Sequence, residues 1–111
     1  MTDGGQFEIK LYMDGSLVSY EDAKVHILNP TMHYGSGIFE GMSCYDTSRG
    51  PVVFRLNEHL KHFLDSARIA SIRSFASSLD DLHQAVHQAI RVNGFQVCYI
   101  RPLIHMEGPL G

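Results

Sequence analysis

Val52-Val53-Phe54-Arg55-Leu56-Asn57-Glu58-His59-Leu60-Lys61-His62-Phe63-Leu64-Asp65-Ser66-Ala67 changes its hydrophobic rhythm part-way along. It opens on a β-branched and aromatic run, the composition that suits a pleated, half-buried strand. From Asn57 onward the apolar residues Leu60, Phe63, Leu64 and Ala67 recur at helical spacing instead. Asn57 is the expected N-cap, with Glu58 beside the positive end of the helix dipole, and the helix is expected to run to about Ile69. A strand that hands directly to an amphipathic helix implies layers of both kinds on one core.

Working outward, Gly50-Pro51 marks a turn, and Ile38 to Tyr45 and Val52 to Leu56 read as paired strands. Upstream, Glu8 to Met13 alternates Ile9, Leu11 and Met13 with polar positions, which predicts a strand with one buried face. Asp14-Gly15 then supplies the positive φ angles of a two-residue hairpin turn leading into Ser16-Leu17-Val18. Asn29-Pro30 predicts a turn, and glycines at 35, 37 and 41 make the stretch from Tyr34 too permissive for a continuous helix. Downstream, Ser78 with Asp81 resembles a capping box. Leu79, Leu82, Val86, Ala89 and Ile90 then line one helix face until Asn93-Gly94 ends it. Phe95 to Met106 is expected to return as a strand. The fold expected is a single α+β unit over residues 1–111, an antiparallel-rich sheet with two packed helices.

The 111 residues are 44% hydrophobic and 19% charged, the profile of an ordinary globular chain. A net charge of -3 with a pI near 6.1 gives no basic surplus for phosphate backbones, so nucleic acid is not the expected partner. No apolar run reaches membrane-spanning length, and Met1 to Phe7 lacks the pattern of an export signal. Cys44 and Cys98 form no CxxC pair, which argues against zinc and a disulfide framework. Two core thiols in a cytoplasmic chain are the expectation.

Few residues offer chemistry on their own. Strand alternation puts Val97, Tyr99 and Arg101 on one face, with Cys98 and Ile100 on the other. A guanidinium in an apolar strand needs partners and matches a carboxylate or phosphate in bidentate fashion, although a structural ion pair or an exposed edge fits the same pattern. His33-Tyr34-Gly35-Ser36-Gly37-Ile38-Phe39-Glu40-Gly41 could bring backbone close to a ligand, yet as pure pattern it reads first as a tight structural turn. His83 and His87 lie at i and i+4 without a third ligand, so they read as a solvated helix face and no metal is expected. His59 and His62 read the same way. Lys10, Lys24 and Lys61 are expected at the surface, and no serine or cysteine carries a nucleophile signature.

Taken in order, Tyr12-Met13-Asp14-Gly15, Glu21-Asp22-Ala23-Lys24-Val25-His26, His33-Tyr34-Gly35, Phe39-Glu40-Gly41, Tyr45-Asp46-Thr47, Phe54-Arg55-Leu56, Glu58-His59, Asp65-Ser66-Ala67 and Tyr99-Ile100-Arg101-Pro102 carry a resemblance. The chain resembles the N-terminal small domain of the class IV, fold-type IV aminotransferases, and within them the branched-chain amino acid aminotransferases. D-amino acid aminotransferases and aminodeoxychorismate lyases share the general plan.

The resemblance implies a pyridoxal-phosphate-dependent exchange of amino groups between branched-chain L-amino acids and 2-oxoglutarate, in a cytoplasmic homodimer. It implies that Tyr34, Phe39 and Tyr99 wall an aliphatic pocket and that Arg101 recognises the side-chain carboxylate of glutamate or 2-oxoglutarate. The family's phosphate-binding arginine is matched here by His62, which offers no permanent charge. The catalytic lysine belongs to a C-terminal domain with no counterpart here, so no catalytic residue is assigned and the chain alone is expected to be inactive and to hold the cofactor weakly. Gly108-Pro109-Leu110-Gly111 matches the approach to the interdomain loop. The alternative is a non-catalytic module that binds a carboxylate or a partner surface.

Overall fold

The computed structural model describes residues 9–70 and 78–105. Glu8, Met106 and the Gly108–Gly111 stretch, each of which figures in an expectation above, lie outside them. The elements run β1 (Lys10–Met13), β2 (Ser16–Ser19), α1 (Pro30–Tyr34), β3 (Ile38–Phe39), β4 (Met42–Thr47), β5 (Gly50–Val53), α2 (Leu56–Ile69), α3 (Leu79–Asn93), β6 (Cys98–Ile100) and β7 (Leu103–Ile104). This is the α+β architecture expected, and every pairing among the described strands is antiparallel. The strands form three small sheets, with orders β1-β2, β3-β7 and β5-β4-β6.

The β1-β2 hairpin turns where Asp14-Gly15 places it, at φ 52° and 91°. Its expected buried face does not form: Leu11 and Tyr12, on opposite sides of the strand, are equally exposed at 38%. Asn93 anchors the hairpin instead, accepting from Lys10 N at 2.8 Å and donating to Lys10 O at 2.9 Å.

The helices bury the predicted stripe. Leu60, Phe63 and Ala67 of α2 and Val86 and Ile90 of α3 pack with Met42, Cys44 and Ile104, and Leu82 touches both halves of the core. The capping box of α3 forms as expected, with Ser78 and Asp81 each satisfying the other's backbone N–H. At α2 the cap differs from expectation. Arg55 occupies the N-cap in a left-handed conformation at φ 56°, and the helix begins at Leu56. Asn57 is therefore inside the first turn, where its side-chain oxygen accepts from His83 Nε2 at 3.1 Å.

Three further expectations are corrected, one by a local helix cap and two by the way the strands pair. Asn29-Pro30 does not merely turn the chain: Asn29 caps α1, accepting from Thr31 N, Pro30 takes the first helical position, and Gly35 ends the helix at φ 64°. The stretch Ile38 to Tyr45 is not one strand, because Ile38–Phe39 pairs with β7 whereas Met42–Thr47 pairs with β5 and β6. Phe95 to Met106 is likewise interrupted, at Arg101-Pro102, where proline cannot donate to a ladder. Cys44 and Cys98, distant in sequence, are direct partners in the β4-β6 register, and both are free thiols.

Candidate functional site

The two interruptions coincide, and their coincidence builds the site. Met42 pairs with Ile100 and Ser43 with Tyr99 in one ladder, while Phe39 pairs with Leu103 and Ile38 with Ile104 in the other. Glu40-Gly41 and Arg101-Pro102 are the joints between the ladders, held together by Glu40 N donating to Pro102 O at 3.1 Å. Residues far apart in sequence thereby share one surface.

On that surface alternation holds as expected. Cys98 and Ile100 pack toward the core, whereas Val97 and Tyr99 are 67% and 61% exposed. Arg101 folds back over the aromatic residues, its Cζ 4.6 Å from the Phe39 ring centroid and 5.6 Å from that of Tyr99. Its Nη2 reaches the Tyr99 hydroxyl at 3.5 Å, a long contact. No carboxylate among the described residues forms an ion pair with Arg101. The structural ion pair that the strand pattern allowed is thus not the arrangement found. Gly41 permits the geometry, because a Cβ there would overlap the Tyr99 hydroxyl.

Glu40 points the other way, into α2. Its carboxylate, 15% exposed, accepts from His59 Nδ1 at 2.8 Å through Oε2 and from His62 Nδ1 at 3.0 Å through Oε1. Burial pushes its pKa up, but the hydrogen bonds from His59 and His62, with their charge, outweigh that and hold it below the ordinary value. This corrects the reading of His59 and His62 as merely solvated: a carboxylate in the joint between β3 and β4 gathers both. Two imidazoles at i and i+3, facing a lone Glu between Phe39 and Gly41, were the available signal.

Tyr34 stands 69% exposed at the end of α1. Among the described residues no hydrogen bond or ring contact joins it to Phe39, Tyr99 or Arg101. Asn29 ties α1 to the strand region, donating from Nδ2 to His105 Nδ1 at 3.0 Å. His83 and His87 stack at 6.4 Å, and among the described residues no group of three potential metal ligands converges. A groove of about 1020 Å³ follows α3 and residues 98–105. Its lining includes Tyr99 and Arg101 but not Phe39, Glu40 or His62, and much of it is core side chain. No described helix is long and apolar enough to cross a membrane.

No family model matches the chain. The branched-chain-amino-acid aminotransferase of Escherichia coli (strain K12) is 45% identical over 94 residues, which are 85% of this chain and 30% of that enzyme. The chain is a homologue of the branched-chain amino acid aminotransferases. A solved structure of the branched-chain aminotransferase of Thermoproteus uzoniensis with norvaline superposes at a TM-score of 0.85, with 38% identity, over 92% of this chain and 34% of that one. A second branched-chain amino acid aminotransferase, solved in complex with N-(5'-phosphopyridoxyl)-L-glutamate, gives a TM-score of 0.81 and 39% identity, over 86% of this chain and 32% of that one. The homologue thus spans about a third of the length of the enzymes it matches.

Proposed function

We propose that this chain is the N-terminal domain of a pyridoxal-phosphate-dependent branched-chain amino acid aminotransferase. The observation that carries the reading is the Arg101 guanidinium, stacked on Phe39 and Tyr99 with no carboxylate of its own among the described residues. A permanent, planar cation on an exposed aromatic bed suits the side-chain carboxylate of glutamate or 2-oxoglutarate. The same Phe39 and Tyr99 rings, with Tyr34 brought in by the rest of the enzyme, offer apolar surface to Leu, Ile or Val. One pocket can then alternate between an aliphatic and a dicarboxylate partner.

The residues present also suit a cofactor phosphate in part. His62 is 71% exposed, and among the described residues its hydrogen bond is made through Nδ1, which leaves Nε2 to face an anion. When bound, pyridoxal phosphate supplies the electron sink for amino-group transfer. The catalytic lysine comes from the C-terminal domain, so this chain alone holds the cofactor weakly and transfers no amino group. Assembly as a cytoplasmic homodimer belongs to the same reading.

The test is a chimera in which residues 9–105 replace the matching segment of the Escherichia coli relative. Transamination between leucine and 2-oxoglutarate is expected, with Arg101→Ala raising KM for 2-oxoglutarate far more than for leucine. A folded chimera that transfers no amino group would instead leave a carboxylate-binding module as the reading.

A further inference from the structure

We infer that Glu40 fixes the tautomer of His62, so that His62 can hold a phosphate only as an imidazolium, with Glu40 as its counter-ion. The inference rests on the phosphate role proposed for His62 and concerns how this chain performs it without an arginine.

A carboxylate has no hydrogen to give, so each imidazole nitrogen that touches Glu40 must carry one. His62 Nδ1, at 3.0 Å from Oε1, is therefore the protonated nitrogen of the neutral ring. Its Nε2 is then a bare lone pair. A phosphate dianion likewise presents only acceptors, so neutral His62 would set lone pair against lone pair. Binding needs a proton from solvent on Nε2, after which Nδ1 donates to Glu40 and Nε2 donates to the phosphate. The hydrogen bonds from His59 and His62 outweigh the opposing effect of burial and keep Glu40 ionised near neutrality, the state this scheme needs.

The acidic side chains beside His62 on α2 have cationic partners of their own. On α2, Glu58 pairs with Arg55 at 3.5 Å and Asp65 with Arg68 at 3.0 Å, while Lys61 precedes His62 in the chain. His59 shares Glu40 through the other oxygen. Of the elements packed on α2, β3 leads directly into Glu40. On α3, His83 is bonded to Asn57, His87 stacks on His83, and Asp81 is held in the capping box beside Asp80. Glu40 is thus the anion paired with His62 among the described residues. An arginine at this position would carry its charge at every relevant pH, so the two side chains predict different pH behaviour.

The experiment is calorimetric titration of the full chain with pyridoxamine 5'-phosphate between about pH 5 and about pH 8. This form has no aldehyde to condense with surface lysines, and pyridoxamine serves as the phosphate-free control. The His62→Arg and Glu40→Gln variants are titrated alongside. The phosphate itself gains charge around pH 6, and that contribution is common to all three proteins. Wild-type affinity is expected to fall as pH rises across this range, by up to about tenfold per pH unit with uptake of one proton on binding, and His62→Arg is expected to show no such fall. Glu40→Gln should bind the phosphate more weakly than wild type, because the imidazolium loses its counter-ion. The same pH profile in wild type and His62→Arg, or undiminished affinity in Glu40→Gln, would overturn the inference while leaving the phosphate contact standing. If neither wild type nor His62→Arg prefers the phosphorylated ligand, the phosphate role itself falls, and the inference with it.

Discussion

The guanidinium of Arg101 lies over the ring of Phe39, its Cζ 4.6 Å from the centroid, although the two residues are 62 positions apart in the chain. The contact is exposed, so its cation–π contribution is about 0.5–1 kcal/mol. Phe39→Ala should therefore weaken glutarate binding by about two- to fivefold. Arg101→Lys should cost more, because a lysine cannot present a planar fork to a carboxylate. Titration of the two variants with glutarate checks the order, and equal losses would show that the charge alone matters.

Gly41 separates position from stability. A methyl at Gly41 would strike the far end of the Tyr99 side chain, which is 61% exposed and free to swing outward. Gly41→Ala is expected to change the unfolding free energy by less than about 1 kcal/mol while lifting the Tyr99 hydroxyl away from Arg101. The expected signature is reduced glutarate affinity at nearly unchanged urea midpoint. A large loss of stability would mean that the Glu40-Gly41 joint, not Tyr99, is what the methyl disturbs.

Glu40 should give the domain a defined acid sensitivity. Its folded pKa lies below the ordinary value of 4.5, so its stabilising contribution is fully present above that value and is lost as pH falls through the depressed one. Wild type should unfold at higher urea than Glu40→Gln at neutral pH, and the gap should close as the pH drops below 4.5. A gap that persists in acid would indicate a packing effect of the substitution rather than the carboxylate's charge.

The features that could be read from the sequence are those fixed by neighbours in the chain. Asp14-Gly15 turns the hairpin, Ser78 and Asp81 cap α3, and the stripe from Leu60 to Ala67 faces the core, all through local geometry. The break at Glu40-Gly41 is hidden in the sequence because strand-forming residues flank it on both sides and a lone glycine can sit within a strand; the two different partners divide it. The N-cap of α2 was misplaced because Arg55 adopts a left-handed conformation, uncommon for arginine, where Asn57 has the more usual capping side chain. At the site, alternation sufficed to put Tyr99 beside Arg101, whereas Phe39 and the Glu40–His59–His62 cluster depend on ladders closed from distant segments. Tyr34 remains outside the cluster within the described residues.

Leu60 is fully buried where β4, α2 and α3 meet. Leu60→Ala should cost about 2–5 kcal/mol, the range for emptying a leucine site in a packed core. Arg101→Ala, on the exposed surface, should leave the urea midpoint within about 0.5 kcal/mol of wild type. Chemical denaturation of the pair distinguishes core from site.

The two thiols report on the same core without perturbing it. Cys44 is buried and faces Cys98 across β4-β6. Burial pushes the Cys98 thiol up, and the neighbouring Cys44 adds to this. Alkylation requires a thiolate, so iodoacetamide should label the native chain slowly at neutral pH and both cysteines rapidly in urea. Where opening limits access, the rate follows the population of the open form, about tenfold for each 1.4 kcal/mol of stability lost. Leu60→Ala should accordingly speed labelling by tenfold or more, and Arg101→Ala should not. Fast labelling of the unsubstituted chain would show that the β4-β6 core opens readily.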